Sequence, residues 1–88
     1  MEEHKAMTVD IQVDETEDRT EAKATLRIRD NEFAGWGRAR RNPGDPNVPL
    51  VGEELAVARA LSELSHRLID AAAGTIESYE GHPIRLSG

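Results

Sequence analysis

The side chains that most often perform chemistry are scattered along this sequence. Cysteine is absent, and the three histidines, His4, His66 and His82, lie far apart and have no partner at a metal-ligand spacing. None of the four serines occupies a nucleophile elbow, and no glycine-rich phosphate loop precedes a helix. The sequence therefore predicts no catalytic residue, no cofactor, no metal site and no small-molecule substrate, and it favours a non-enzymatic protein.

Positive charge is concentrated in one central segment. Residues 22–41 hold six basic and two acidic side chains, although the whole chain has a net charge of −6. A β-hairpin predicted in this segment places Trp36 on its outer, solvent-facing side. The basic side chains predicted around the ring are Lys23, Arg27, Arg29, Arg38 and Arg40. Because a large exposed apolar group on a sheet marks a contact surface, this face is the candidate interaction site.

Three interpretations of this face remain open. In the first, Trp36 and Ala34 are buried in a homodimer, with the arginines at its rim. In the second, the ring stacks on the bases of RNA while the arginines contact phosphates. In the third, the tail residues Ile84 and Leu86 cover the ring. The excess of acid elsewhere in the chain favours the homodimer, because those acids can pair with the arginines.

Alternating apolar and polar residues predict three strands, each with one wet face. They span residues 7–14, 21–29 and 32–41. Asp30 and Asn31 tolerate the positive φ of a tight hairpin turn, so they are predicted to join the second strand to the third.

A long amphipathic helix is predicted over residues 53–73, because apolar side chains recur there every three or four residues. Gly74 is predicted to end this helix, and Thr75 to cap a short second helix over residues 76–80. The predicted fold is therefore α+β: a three-stranded antiparallel β-meander packed on one long helix, followed by a short C-terminal helix.

The predicted core combines the apolar faces of the strands and the long helix. Its members are Val9, Ile11, Val13, Leu26, Ile28, Phe33, Val57, Leu61, Leu64 and Leu68. Gly35 and Gly37 would lie on the core face of the third strand, where repeated glycine suggests that another backbone approaches closely. The long helix is the element expected to make that approach.

A chain of 88 residues corresponds to one domain with a small core. We expect residues 1–6 to be disordered and residues 7–88 to form the domain. Self-association is a common way for such a domain to bury more apolar surface. No apolar run reaches the length of a membrane span and no signal-peptide pattern opens the chain, so a cytoplasmic location is expected.

A longer pattern joins the third strand to the helix. It reads Gly35-x-Gly37-x-Ala39-Arg40-x-Asn42-Pro43-x-Asp45-x-x-Val48-Pro49-x-x-Gly52-x-Glu54-Leu55-Ala56-x-Ala58-Arg59-Ala60-Leu61-Ser62-x-Leu64. Together with Thr8-Val9-Asp10-Ile11 and Ile76-Glu77, it resembles a family of small actinobacterial proteins of unknown function that includes hypoxia- and dormancy-induced mycobacterial members. The match extends over nearly the whole domain.

The resemblance implies a dsRBD-like fold, similar to double-stranded-RNA-binding domains, a homodimer, and a likeness to ribosome hibernation factors. It brings no catalytic residues with it. Family members tend to be aliphatic where Trp36, Arg38 and Arg41 stand, so this sequence departs from the pattern on the outer strand face. The residues that the family keeps nearly fixed are predicted to form a structural polar network at the strand–helix connector: Arg40, Asn42, Asp45 and Arg59.

The predicted function is that of a small stress- or dormancy-associated protein that acts by homodimerisation and protein association. The alternative is a ribosome- or RNA-binding factor of the hibernation type. In that case the basic hairpin face would make the contact.

Overall fold

The described part of the protein consists of one sheet and one helix. The computed structural model describes residues 2–42, 44, 46 and 48–81. The elements in chain order are β1 (Asp10–Glu15), β2 (Arg19–Ile28), β3 (Asn31–Arg40) and α1 (Pro49–Glu80). The strands form an antiparallel meander in the order β1-β2-β3. The prediction of an α+β fold with a three-stranded meander and one long helix is confirmed.

The turn between β2 and β3 lies one residue earlier than predicted. Ile28 pairs with Asn31, so the two turn residues are Arg29 and Asp30, and Arg29 adopts a left-handed φ of 56°. The pairing register moves by two residues, which leaves every side chain on its predicted face. Leu26 now lies opposite Phe33, and smaller residues pair further along the hairpin.

Those smaller residues let α1 come close to the sheet. Gly35 pairs with Ala24 and Gly37 pairs with Ala22, on the face that the helix covers. A Cβ atom on Gly37 would overlap the backbone of Ala56 and Ala60. A Cβ atom on Gly35 would in the same way meet the backbone of α1. The close approach predicted from the two glycines is therefore confirmed.

The helix is longer than predicted and is continuous. It begins at Pro49 and passes through Gly74 without a break, so the predicted short second helix is the last part of α1. The Thr75 hydroxyl does not cap a new helix but donates to the Ala71 carbonyl at 3.0 Å. The end is at Gly81, whose φ is 75° and whose N–H bonds the Glu77 carbonyl at 2.7 Å. Gly74 can stay inside because one helical glycine costs only about 1 kcal/mol.

The core is smaller than predicted, and it consists largely of alanine. Its buried apolar residues are Ala22, Ala24, Ala39, Ala56, Ala60 and Leu64. Of the predicted core, Leu64 is buried, and Leu26, Phe33, Val57 and Leu68 are partly buried against it. Val9, Ile11, Val13 and Leu61 are 37–39% exposed, which contradicts the prediction.

The position of α1 explains this difference. The two glycines let the helix backbone settle over β3 and β2, so the fully buried contacts of α1 are with small side chains, and Leu26 and Phe33 pack at the margin. The side chains of β1 on the same face are left outside the helix. No helix among the described residues is long and apolar enough to cross a membrane.

Candidate interaction surfaces

Trp36 lies on the outer face of the sheet, as predicted, and two cations of the same chain flank it. The residue is 52% exposed. Lys23 pairs with it across the hairpin, and the Lys23 Nζ atom lies 5.5 Å from the centroid of the ring. The guanidinium carbon of Arg67, from α1, lies 5.6 Å from the same centroid. Both are cation–π contacts, so part of the ring is already covered within the chain.

Two helix side chains cap the open edge of β3, and we call them the edge clamp: Arg59 and Glu63. The Trp36 backbone N–H donates to Glu63 Oε1 at 3.3 Å, and Arg59 Nη1 donates to the Arg38 carbonyl at 2.6 Å. Arg67 donates two further bonds of 3.3 Å to Glu63 Oε1. Backbone groups at a sheet edge otherwise invite pairing with another strand. The clamp therefore closes this edge and holds Arg67 near the tryptophan ring.

Several predicted face arginines are engaged with acids of the same sheet. Arg27 lies 3.3 Å from Glu32, and Arg38 lies 3.3 Å from Glu21. Arg19 reaches Glu21 as well, at 3.2 Å. Such exposed pairs contribute little to stability, but they reduce the positive charge that a phosphate would meet. The outer face is therefore mixed in charge rather than basic.

Two of the predicted arginines lie at opposite ends of the hairpin. Arg29 is in the turn between β2 and β3. Arg40 is at the last position of β3 and lines a cavity beside the start of α1. Strand alternation therefore places Arg27, Arg38 and Arg40 on the outer face with Trp36, and Arg40 is separated from the turn residue Arg29 by the length of β3.

The described residues of the predicted polar network lie in two different places. Asp45 lies outside the described residues. Arg40 and Asn42 both line the cavity near the start of α1, whereas Arg59 belongs to the edge clamp. The network as a set of four therefore stays a prediction, and the observed role of Arg59 is to cap β3.

An apolar surface lies beside the helix on the other side, and we call it the β1 trough: Val9, Ile11, Val13, Val57 and Leu61. Ile11 pairs with Ala24 and Val13 with Ala22, so this row of β1 is on the helix-covered face. The edge clamp lies on the flank of α1 that faces β3. Val57 and Leu61 lie on the opposite flank, on the side of β1. Four of the five side chains are 37–39% exposed. The trough is therefore a partly exposed apolar surface beside α1.

With this geometry in place, comparison with known proteins decides the family. The profile of the Rv2632c-like family matches residues 5–85. The chain belongs to the Rv2632c-like family. The predicted resemblance to a small mycobacterial family of unknown function is thereby confirmed.

Relatives of this chain within the Rv2632c-like family align with nearly its whole length. Uncharacterized protein Mb1767 of Mycobacterium bovis is 52% identical over 79 residues, which is 90% of this chain and 84% of that protein. Rv2632c of Mycobacterium tuberculosis is 38% identical over 80 residues, which is 91% of this chain and 86% of that protein. The crystal structure of Rv2632c matches with a TM-score of 0.85 at 36% identity, covering 93% of this chain and 98% of that chain.

One cavity in the described part of this Rv2632c-like chain has a volume of about 820 Å³. It lies between the β1–β2 loop and the start of α1. Among the described residues, no histidine lines it, and no group of three or more His, Cys, Asp or Glu residues could hold a metal ion. The described wall of the cavity therefore offers no histidine–carboxylate pair for acid–base chemistry.

Sequence reasoning missed the edge clamp, although a signal was present. The sequence pattern places Arg59 in the connector network and gives Glu63 and Arg67 no role. The three residues follow one another at four-residue intervals and so form one row beside the row that packs on β3. A row of long polar side chains at the flank of a buried stripe is well placed to reach a strand edge.

Glu63→Ala is expected to expose Trp36. The substitution removes the acceptor that holds Arg67 over the ring. Because Trp36 is the only tryptophan, its fluorescence reports on this site alone. The emission maximum should shift to the red and acrylamide quenching should increase. Glu53→Ala, which removes an exposed acid elsewhere on α1, should leave both unchanged, and equal spectra for the two variants would contradict the clamp.

Proposed function

We propose that this protein acts by association with other protein chains, in the first place with a second copy of itself, and that it is not an enzyme. The observation that carries the proposal is the composition of the core. Five of its six buried apolar residues are alanine, and no large side chain among the described residues is fully buried. A core of that size contributes little hydrophobic stabilisation, since burial energy grows with apolar area. Association supplies the missing area.

The β1 trough is the surface that best fits a second copy. A row of aliphatic side chains between 37% and 39% exposed lies next to a helix, so a second helix can pack there beside α1. In a twofold dimer both chains use the same surface, so the trough of each chain packs against the trough of the other. Apolar contact and a self-complementary shape would hold the two copies together, because all five residues of the trough are aliphatic.

The helix itself supplies an element that can fill it. α1 has 32 residues and is about 48 Å long at 1.5 Å per residue, whereas a ten-residue strand spans about 33 Å. Its last turns therefore run past the sheet, where Tyr79 is 88% exposed. The start of α1 is also apolar and exposed, at Leu50, Val51 and Leu55. These surfaces add to the trough towards the roughly 800 Å² per partner that a stable dimer buries.

Sedimentation velocity at micromolar concentration tests the proposal. The natural chain should sediment as a dimer, and Leu61→Asp should sediment as a monomer because a charge is then placed in the trough. His66→Asp adds the same charge on the Glu63 side of α1 and should remain a dimer. A natural chain that stays monomeric at every concentration, or a dimer that tolerates Leu61→Asp, would contradict the trough as the interface.

The same experiment separates the trough from the hairpin face. The sequence-based prediction that Trp36 anchors the dimer requires Trp36→Ala to dissociate the dimer while Leu61→Asp does not. The trough requires the reverse result. Trp36 already has Lys23 and Arg67 against its ring, which favours the trough.

Ribosome or RNA binding is the second candidate, and a half-exposed Trp36 next to Lys23 favours it. The likeness to hibernation factors belongs to this second candidate. The dsRBD-like fold, the association with stress, hypoxia and dormancy and the cytoplasmic location are proposed with either candidate. If it holds, Trp36→Ala remains a dimer but loses about 1–3 kcal/mol of RNA affinity per stacked base, and binding weakens steeply with salt. A pull-down from starved cells with and without ribonuclease would identify ribosomes as the partner.

A further inference from the structure

The two edges of the sheet differ in how they are protected. At β3 the edge clamp binds two outward backbone groups, the Trp36 N–H and the Arg38 carbonyl. Along an antiparallel strand, successive residues direct their backbone N–H and C=O groups alternately to one side and to the other. The cross-strand pairs therefore show which residues of β1 direct these groups to the open edge. Trp36 pairs with Lys23, and Lys23 pairs with Gln12. Since the Trp36 N–H points away from β2, the backbone groups of Lys23 point to β1 and those of Gln12 point to β2. The neighbours of Gln12, Ile11 and Val13, therefore direct their N–H and C=O groups to the open edge.

The β1 edge has few of the features that usually block strand addition. Asp10–Glu15 contains no proline and no lysine, and its pairing with β2 is regular without a bulge. Among the described residues, no side-chain hydrogen bond reaches the backbone of Ile11 or Val13. The helix lies over β3 and β2, at the far edge of the sheet from β1, and leaves all six residues of β1 exposed.

The outer row of β1 is acidic and unneutralised. Asp14 lies opposite Glu21, which is itself an acid, and Asp10 lies opposite Thr25. Neither aspartate takes part in an ion pair in the described part of the chain. Because Arg19 and Arg38 already pair with Glu21, the carboxylates of Asp10 and Asp14 are left to pair with a basic neighbour on the free side.

We infer that the open edge of β1 binds an extended basic segment of another protein, which adds to the sheet as a fourth strand. The segment alternates aliphatic residues, which lie beside Ile11 and Val13, with lysine or arginine, which lie beside Asp10 and Asp14. Backbone bonds to Ile11 and Val13 provide affinity, and the acidic row provides selectivity. A second copy is a poor occupant of this edge, because it would bring its own acidic row alongside the first.

This surface is separate from the proposed dimer surface in the kind of contact it makes. The β1 trough offers apolar side chains on one face, whereas the edge offers backbone groups and the carboxylates of the opposite face. Ile11 and Val13 belong to both sites, but Leu61 belongs only to the trough and Asp10 and Asp14 only to the edge. Substitutions at those three residues therefore distinguish the two sites.

Titration with synthetic peptides tests the inference. The probe is an eight-residue peptide of alternating valine and lysine, and the matched control replaces every lysine with glutamate. The lysine peptide should bind, shift the amide resonances of Ile11 and Val13 and slow their hydrogen exchange, and its affinity should fall as salt rises. The glutamate peptide should not bind. Equal binding of both peptides, or protection of amides on β3 instead, would overturn the inference.

Reversing the charges of Asp10 and Asp14 tests whether these carboxylates select the basic peptide. The double variant Asp10→Lys with Asp14→Lys should bind the lysine peptide about tenfold more weakly, because two attractive pairs become repulsive ones, and it should gain binding of the glutamate peptide. Glu53→Lys with Glu54→Lys makes the same change in net charge on α1 and should bind as the natural chain does. If both doubles lose affinity equally, only net charge is being sensed and the β1 site is refuted.

The dimer must be tested alongside. The monomeric variant Leu61→Asp should still bind the lysine peptide, which would show that failure of one proposal does not entail failure of the other. Protection of Ile11 and Val13 amides that rises with protein concentration, without peptide, would assign the edge to a second copy and overturn the inference.

Discussion

Gly37→Ala is expected to destabilise the protein by about 3 kcal/mol or more, at or above the upper end of the range for overpacked cores. The added Cβ would overlap the Ala56 carbonyl oxygen and the Ala60 nitrogen, which are backbone atoms and cannot rotate away. The helix would have to move off the sheet, and the alanine core would open. Thermal unfolding should show a fall in Tm of more than about 12 °C, since 1 kcal/mol corresponds to roughly 4–8 °C in a small domain.

Gly74→Ala is the matched control for this substitution. A Cβ at Gly74 would meet nothing within 4 Å, and the residue lies within α1 with ordinary helical backbone. The change should therefore stabilise the protein by about 0.5–1 kcal/mol, because alanine loses less backbone entropy in a helix. If Gly37→Ala and Gly74→Ala have similar effects, the helix does not approach β3 as closely as described.

Leu64→Ala is expected to cost about 2–5 kcal/mol, the usual cost of removing a buried leucine. Leu64 is 3% exposed and is the largest side chain of the core. Leu61→Ala removes the same atoms from a position that is 39% exposed, so its cost within one chain should be smaller. The sequence alone predicted that both leucines belong to the core, and the structure buries only Leu64.

Chemical denaturation at two protein concentrations measures this difference. The loss caused by Leu64→Ala should be the same at both concentrations, because it arises within the chain. The loss caused by Leu61→Ala should depend on concentration, because a dimer contributes stability by mass action. A larger concentration-independent loss at Leu61 than at Leu64 would mean that the buried face of α1 has been assigned wrongly.

The sequence by itself determined the type and order of the elements. Strand alternation and helical periodicity depend only on which face of each element is apolar, and those patterns are local. The outward position of Trp36 followed from the same alternation. The close approach at Gly35 and Gly37 was also readable, because a missing side chain in a strand indicates where another backbone can come near.

The site could be predicted only in part, for a physical reason. The face around Trp36 was located, but Arg67, which lies 31 positions further along the chain, was not assigned to it. Arg59 and Glu63 likewise reach β3 from the helix. No local pattern encodes such contacts, because they depend on where the helix lies across the sheet and at what rotation.

That lateral position is what only the tertiary structure decided. The same apolar pattern fits a helix centred over β1 and β2, which would bury Val9, Ile11 and Val13, or a helix centred over β3. The glycines and alanines at Gly35, Gly37 and Ala24 make the second arrangement possible, since backbone-to-backbone contact is closest there. Burial is set by that choice and not by hydrophobicity, so aliphatic side chains of β1 stay exposed and alanines form the core.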